Sequence, residues 1–305
     1  MTEISPSSTP TPGPAGTASA GALTPASQRP PSVTRQVLRR PASLVAGGFL
    51  LLLVVLAVAA PWLAPYDPNA QHLADKLAGP SGAHPLGTDE FGRDVLSRMI
   101  YACRVSMSAP FISVGVACVI GVPLGLWAAF RGGAVDAVTG RIADTLLSLP
   151  GFVCALAIVA VLGPSLVNAM VAVGLAYSPG LFRIVRGATL SVVEEEFVDS
   201  ARSVGASTPR ILGVHVLPNI AAPLTVQVSL LMGLSLILEA GMSFLGLGVR
   251  APTASWGTML RSAYENQWEA PMAVLPAGVA MVLTVLAFNT MGDAIRDALG
   301  ARGRR

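Results

Sequence analysis

Few residues of this chain are of types that carry out chemistry, and they are scattered. Its three cysteines stand in or beside apolar stretches without the spacing of a metal site, so we interpret them as buried thiols: Cys103, Cys118 and Cys154. The three histidines are equally dispersed. Within the apolar stretches there is no carboxylate pair, Ser-His-Asp set or His-x-x-x-His pair. The sequence therefore predicts no enzyme site, no metal site and no cofactor bound by this chain.

Nucleotide chemistry is excluded in the same way. Lys76 is the only lysine, and Asp75 precedes it. A Walker A loop needs Gly-Lys-Ser/Thr, because its backbone amides and its lysine together hold the phosphates. The chain cannot itself be a P-loop ATPase, and an ATP-driven function would need a partner chain. The net charge of +3 does not predict nucleic-acid binding, because the charges flank apolar stretches and do not cluster on one face.

The most distinctive polar segment is the stretch 189–219, TLSVVEEEFVDSARSVGASTPRILGVHVLPN, which lies between apolar neighbours. Ser191 and Glu194 have capping-box spacing, which predicts a helix from about Val192. The three consecutive glutamates then fall in its first turns, where the helix dipole favours negative charge. One apolar stripe recurs at helical spacing: Val193, Phe197, Ala201 and Val204.

A bend in the middle of this segment is predicted from its small residues. Gly205 can adopt the left-handed conformation at no steric cost, so it predicts the end of the first helix. Thr208 as N-cap and Pro209 as first helical residue predict a second short helix. Two short helices with a bend between them form a knob that suits insertion into a groove on another protein; the alternative is a surface hairpin without a partner.

The composition predicts an all-α integral membrane protein, since 52% of the residues are hydrophobic and only 12% are charged. A helix of about 20 apolar residues spans a bilayer core. Six such spans are predicted, at about 44–63, 105–130, 142–162, 166–178, 220–240 and 272–291. Leu149-Pro150-Gly151 predicts a break in the third span, Pro179-Gly180 disturbs the end of the fourth, and Gly121 with Gly125 allows close packing of the second.

The domain organisation follows from these spans. Residues 1–34, rich in Pro, Ser, Thr, Gly and Ala, predict a disordered tail and not a signal peptide. Residues 35–103 hold the first span and a polar segment outside the membrane, in which Asp94, Ser97 and Arg98 on one face predict an interfacial helix. Residues 104–293 form the core membrane domain, and residues 294–305 a basic tail.

The distribution of basic residues predicts the orientation. Fourteen of the 20 Lys and Arg residues fall in the N-terminal tail, the connection between spans two and three, the region of the 189–219 loop and the C-terminus; six fall on the other side. Because basic residues collect on the cytoplasmic side, we expect that loop and both termini in the cytoplasm.

The central loop resembles the EAA loop of bacterial ABC-importer permeases, whose pattern is Glu-Ala-Ala, three residues, Gly, nine residues, Ile, one residue, Leu-Pro. Here the pattern reads Asp199-Ser200-Ala201, Gly205, His215 and Leu217-Pro218. The spacing matches throughout. The departures are Asp for Glu, Ser for the first Ala and His for Ile, and the packing of His215 is therefore an open question.

The resemblance implies a type I importer permease with a cytoplasmic coupling loop between spans four and five. The residues expected to meet the ATPase are Asp199, Ser200, Ala201, Gly205, Ala206, Ser207, Pro209, Leu217 and Pro218. The implied partners are a homologous second permease, two cytoplasmic ATP-binding subunits (or one fused chain) that hold ATP and Mg, and an extracytoplasmic substrate-binding protein. The implied location is the bacterial inner membrane.

Two further segments are similar to the C-type subunit of dipeptide, oligopeptide and nickel permeases. They are GTDEFGRDVLSR at 87–98 and EAGMSFLGLG at 239–248, with Pro252 and Ser255-Trp256-Gly257 after the second. The resemblance implies import of dipeptides or short oligopeptides; the alternative is a nickel, metal-chelate or haem importer of the same family. A membrane-embedded enzyme and a non-transporting scaffold with an ATPase partner are the other classes considered.

Two groups near the outer face are candidates for contact with substrate or binding protein. Intramembrane charges usually face a cavity or a partner, so Glu239 could face the translocation path; the alternative is a carboxylate bonded to a neighbouring helix. In the family the outer loops meet the binding protein, which makes Trp256, Tyr264 and Trp268 candidate contacts. These aromatic residues also fit an interfacial belt.

Overall fold

The computed structural model describes Val37 and residues 40–303, without the side chains of 301–303. Every regular element in this part of the chain is helical, which agrees with the predicted all-α class. The helices are α1 (Pro41–Leu63), α2 (Val95–Arg131), α3 (Gly133–Leu147), α4 (Gly151–Leu162), α5 (Leu166–Val193), α6 (Glu196–Ser203), α7 (Thr208–Arg210), α8 (Leu217–Asn219), α9 (Ala221–Phe244), α10 (Trp256–Glu265) and α11 (Val274–Gly303). A π-helical stretch, Ile211–Val216, joins α7 to α8.

Among the described residues, five helices are long and apolar enough to cross a membrane, namely α1, α2, α5, α9 and α11. Helices α3 and α4 form a further candidate, bent by 86° at the predicted break. The two ends of this pair meet opposite ends of α5. Arg186 donates to Asp136 of α3, and Asn168 donates to the carbonyl of Leu162 at the end of α4. The pair therefore runs the length of α5. We interpret it as one broken span, the third in chain order, which brings the number of spans in the described residues to six.

Helix α2 is longer than predicted, because the interfacial helix and the second span form one helix of 37 residues. It begins after Asp94, whose carboxylate accepts from the backbone N–H of Ser97 at 2.7 Å. Arg104 does not interrupt it, since its guanidinium donates to the carbonyl of Ala57 in α1 at 2.6 Å. That carbonyl lacks its usual helical donor because Pro61, four residues later, has no N–H.

Helix α5 corrects the prediction of a short fourth span. It continues for 28 residues through Pro179. A proline in a helix leaves the carbonyl four residues earlier without its backbone donor. Here the hydroxyl of Ser178 donates to that carbonyl, on Leu175, at 2.8 Å, so the helix persists.

Helices α2 and α5 pack closely through glycine, as predicted for Gly121 and Gly125. A Cβ atom on Gly121 would lie 2.9 Å from the carbonyl oxygen of Ser178, and one on Gly125 would lie 2.9 Å from that of Phe182. The two backbones are therefore in contact at these positions, which makes this pair the centre of the bundle.

The chain ends differ from the predicted organisation in one respect. Residues after 293 do not leave the helix, since α11 continues to Gly303. Asp297 on this extension accepts from Arg40, just before α1, at 2.6 Å. The predicted tail 1–34 lies outside the described residues.

Candidate functional site

The first helix of the loop between α5 and α9 begins later in the chain than predicted. Helix α5 continues to Val193, and the hydroxyl of Ser191 donates back to the carbonyl of Ala188 at 2.9 Å. Ser191 therefore does not cap a new helix, and the predicted capping box is wrong. Helix α6 begins after Glu195, which has an extended backbone. The short break between Val193 and α6 turns the chain out of the span.

Gly205 ends α6 as predicted. Its φ is +77°, the left-handed conformation that glycine adopts without strain. Its N–H donates to the carbonyl of Arg202 at 2.9 Å, and the N–H of Ala206 donates to that of Ala201 at 3.1 Å. These two bonds define a Schellman motif and satisfy two carbonyls at the helix end.

The next helix begins one residue earlier than predicted. Ser207, with an extended backbone, precedes α7, so Thr208 is the first helical residue and Pro209 the second. The helix then widens into the π-helical stretch before α8. His215 lies in this stretch, and the amide of Asn219 donates to its carbonyl at 2.6 Å. Such wide turns are common at functional sites.

One face of the loop packs into the membrane bundle. Val198 and Ala201 of α6, with Ile211 and Val216 of the π-helical stretch, are buried in one cluster with core residues of the spans. This face differs from the predicted stripe, of which only Ala201 is buried. The helix presents positions 198 and 201 inward and positions 197, 200 and 204 outward, which the apolar spacing did not reveal.

The exposed side of the loop forms an open depression of about 530 Å³, whose lining includes Ala201 at the edge of the buried face. Its lining residues are Phe197, Ser200, Ala201, Val204, Gly205, Ala206, Arg210 and His215. Val204 is 84% exposed, and Phe197 is 41% exposed. The imidazole of His215 is half-buried, with its centroid 6.5 Å from that of the Phe197 ring, which answers how this residue packs.

The structure distributes the predicted coupling residues unequally over this depression. Ser200, Ala201, Gly205 and Ala206 line it together. The others lie outside its lining: Asp199, Ser207, Pro209, Leu217 and Pro218. Sequence reasoning did not place Phe197, Val204 and Arg210 in this set, although their spacing from Ser200 and Gly205 was a usable signal.

Charges surround the loop. The three glutamates 194–196 are exposed at its entry. Asp199 accepts from Arg202 at 3.3 Å, and the guanidinium of Arg202 lies 4.8 Å from the centroid of the Phe130 ring at the end of α2. This cation–π contact ties α6 to the bundle. Seven residues before the end of α5, Arg186 is paired with Asp136 of α3.

The segment 87–98 organises the end of the bundle opposite the 189–219 loop. Asp89 accepts from Arg93 at 2.6 Å and lies 3.3 Å from Arg98, so one carboxylate holds two guanidinium groups. Glu90 accepts from the hydroxyl of Ser262 in α10. These contacts fasten the outer segment to α10.

Glu239 is inside the bundle rather than on a surface. It is 1% exposed although the chain is alone, and its carboxylate accepts from the hydroxyl of Ser243 at 2.7 Å. A residue that faced a path between this chain and a second permease would be exposed here. This burial gives no support to the hypothesis that Glu239 faces the translocation path. The hydrogen bond to Ser243 lies within α9, so it does not test the alternative of a bond to a neighbouring helix.

The three aromatic residues predicted to contact the binding protein differ in exposure. Trp256 is fully buried, so it offers no surface to a binding protein. Tyr264 is 58% exposed and Trp268 is 92% exposed, and both remain predicted contacts. Among the described residues, no group of three or more His, Cys, Asp and Glu side chains is placed to hold a metal ion.

Comparison with known proteins identifies the class. A family model described as the inner membrane component of binding-protein-dependent transport systems matches residues 121–305. This is more than half of the chain, which therefore belongs to that family and is an ABC-importer permease, a multi-pass protein of the inner membrane. A second model, the N-terminal transmembrane domain of oligopeptide transport permease C, matches residues 32–80 and assigns the chain to the C-type permeases.

Named relatives agree with this assignment. The chain is 42% identical over 266 residues to a glutathione transport system permease protein of Pectobacterium atrosepticum, covering 87% of this chain and 88% of the relative. It is 42% identical over 257 residues to a di/tripeptide transport system permease protein of Pseudomonas aeruginosa, covering 82% and 85%. An inward-facing structure of the MetNI methionine ABC transporter has a TM-score of 0.56 at 17% identity, covering 67% of this chain and 97% of the other, and supports the fold.

Proposed function

We propose that this chain translocates short peptides, delivered by an extracytoplasmic binding protein, as one permease subunit of an ABC importer. The relatives reported above are named for glutathione, itself a tripeptide, and for di- and tripeptides. They share more than two fifths of their aligned residues with this chain over most of its length. Peptide import is therefore favoured over the import of nickel, metal chelates or haem.

The observation that carries the mechanism is the two-sided loop between α5 and α9. Its inner face is buried in the bundle, so the loop cannot move without the spans. Its outer face is an open depression with exposed apolar side chains. An exposed apolar patch rimmed by charges is typical of a protein interface. We assign this face to the cytoplasmic ATP-binding subunits.

Energy must enter the permease through such a contact. Moving an inward/outward equilibrium from 1:99 to 99:1 takes about 5.5 kcal/mol of differential binding. We propose that the partner subunits bind ATP and Mg, and that closure of these subunits moves the loop as a rigid body. The full assembly then contains a second permease, two ATP-binding subunits or their fused equivalent, and the binding protein.

The proposed orientation has the loop and both termini in the cytoplasm, on the basis of the basic-residue distribution. Val204, which is highly exposed, provides a reporter for the loop, and Trp268 provides one for the opposite face. A Val204→Cys variant is expected to react with a membrane-impermeant maleimide only from the inside, and Trp268→Cys only from the outside. Labelling of Val204→Cys from the outside would refute the coupling role.

Transport itself is tested by reconstituting the assembly in vesicles. We expect ATP-dependent accumulation of a labelled dipeptide that requires the binding protein. Controls replace ATP with a non-hydrolysable analogue, omit the binding protein, or offer a nickel chelate. Stimulated ATP hydrolysis without accumulation would indicate a scaffold, and accumulation of the chelate but not the dipeptide would overturn the substrate assignment.

A further inference from the structure

Helix α10 does not lie on the outer surface of the bundle but enters it with its first turn. Ser255, which precedes the helix, and Trp256 are both fully buried. Ser255 forms a capping box with Thr258, in which each side chain accepts from the backbone N–H of the other. The N–H of Trp256 donates to the hydroxyl of Ser106 in α2 at 3.1 Å. The first turn is thereby attached to a different span.

The other side of this turn rests directly on α9. A Cβ atom on Gly257 would lie 2.6 Å from the Cα atom of Ala240, so the two backbones touch. A Cβ atom on Gly248, in the turn between the helices, would lie 2.2 Å from the hydroxyl oxygen of Ser243. The connection between α9 and α10 is therefore packed against the last turns of α9.

Glu239 lies at the centre of this junction. Its Oε1 atom accepts from Ser243, whose hydroxyl oxygen lies 3.4 Å from the donating N–H nitrogen of Val249 in the turn. The hydroxyl of Ser255, the residue before α10, also interacts with this carboxylate, whose Oε2 atom has no hydrogen bond of ordinary geometry among the described residues.

These contacts connect the two ends of the permease mechanically. Helix α9 begins two residues after the last residue of α8 in the coupling loop and continues for 24 residues, about 36 Å. At its far end it carries α10, whose Ser262 contacts Glu90 of the outer segment. A movement of the loop along α9 reaches the outer face only if the junction stays closed.

We propose that Glu239 is a positioning residue that holds α10 on α9, so that the coupling loop and the outer face move as one body. This inference rests on the proposed function for its transport consequence. The junction itself, hereafter the α9–α10 seat, consists of Ser106, Glu239, Ser243, Ser255 and Gly257. Glu239 contacts neither peptide nor nucleotide in this role and acts through the placement of α10.

The variants are chosen to separate shape from charge. Glu239→Ala removes the acceptor of Ser243, and Glu239→Gln retains an acceptor oxygen of the same reach. Ser106→Ala releases the opposite side of the same turn and provides a second test if Glu239→Ala fails to insert. Glu265→Ala is the matched control, because Glu265 is an exposed glutamate of α10 that pairs with Arg261 of the same helix.

The first measurement is amide hydrogen exchange in the assembled complex. In Ser106→Ala we expect the N–H of Trp256 to exchange about tenfold faster, because it loses its buried acceptor. In Glu239→Ala we expect a similar increase across the first turn of α10, because Ser243 and Ser255 lose the carboxylate that positions them. The amides in the middle of α9 should keep their wild-type rates. Glu239→Gln and Glu265→Ala should leave both regions unchanged.

The second measurement compares basal ATP hydrolysis with hydrolysis stimulated by the binding protein. Glu239→Ala should keep the basal rate and lose the stimulation, which a general loss of folding would not produce. Unchanged exchange and stimulation in Glu239→Ala would overturn the proposal, as would a Glu239→Gln variant that loses stimulation with the seat intact. If the wild-type complex shows no ATP-driven uptake, the proposed function fails, whereas the exchange data still decide whether Glu239 holds α10.

Discussion

The two ends of α9 lead into segments that use glycine in opposite ways. At the inner end Gly205 has a positive φ, and no atom of the described residues lies within 4 Å of the Cβ position that another residue would add. At the outer end Gly248 and Gly257 meet Ser243 and Ala240 at distances that leave no room for a Cβ atom. The first glycine serves backbone conformation, and the other two serve close packing.

The two segments also differ in how far contacts within the chain cover them. The outer junction is closed by contacts within the chain, down to a buried carboxylate. The inner loop packs only one of its faces and leaves the other as an open depression. We therefore propose the inner loop as the side that docks another protein, whereas the outer junction is held by contacts within the chain.

The largest effect is expected from Gly257→Ala. Its methyl group would press on the backbone of α9 at 2.6 Å, and a rigid backbone cannot give way as a flexible side chain can. We expect destabilisation near the upper end of the range of about 1–3 kcal/mol for overpacking, with loss of folded protein. The measurement is thermal unfolding of the detergent-solubilised protein.

The control for this variant is Gly180→Ala in α5. No atom of the described residues lies near the added methyl group there, and the backbone is helical. Alanine should therefore stabilise the helix by about 0.5–1 kcal/mol. If Gly257→Ala unfolds at the wild-type temperature, α10 does not pack against α9 as described.

Gly205 is expected to behave in the reverse way, with a small effect on stability and a large effect on transport. Both Gly205→Ala and Gly205→Glu suffer the same left-handed strain, about 1–2 kcal/mol. Only glutamate places a charged chain in the depression. We expect Gly205→Glu to insert normally but to abolish uptake, while Gly205→Ala retains a measurable rate. Equal uptake by both variants would show that the depression is not a docking surface.

Most of the membrane spans could be predicted from the sequence, because the length of an apolar stretch is a property of a single segment. The break at Leu149-Pro150-Gly151 was predicted for the same reason. Pro179 misled the prediction: its effect depends on whether the freed carbonyl finds another donor, and the hydroxyl of Ser178 supplies one. Arg104 could not be placed either, since its partner carbonyl belongs to α1.

The candidate site was located more accurately than it was oriented. The spacing from Asp199 to Pro218 identified the loop, and Gly205 identified its bend. The predicted apolar stripe is not the buried face of α6, because Phe197 and Val204 are as apolar as Val198 but exposed. Apolar residues at a docking surface and apolar residues in a core give the same periodicity. The burial of Glu239 could not be predicted, because burial depends on contacts distant in sequence.

The last comparison pairs a buried serine of the outer junction, in α9, with an exposed serine of the loop, in α6. Ser243 is buried and bridges Glu239 to the backbone of Val249, so Ser243→Ala leaves a buried acceptor unsatisfied and should cost about 1–3 kcal/mol. Ser200 is exposed and donates only to a carbonyl of its own helix at 3.0 Å, so Ser200→Ala should stay within about 0.5 kcal/mol. Unfolding of both variants under the same conditions measures the difference. Both changes replace a helical serine by alanine, so the gain in helix propensity is nearly the same in the two variants. The difference between their stabilities therefore reports the burial of the hydrogen-bonding partner. Equal stabilities would mean that the outer junction is as open to water as the inner loop, and the distinction between the two ends of α9 would be lost.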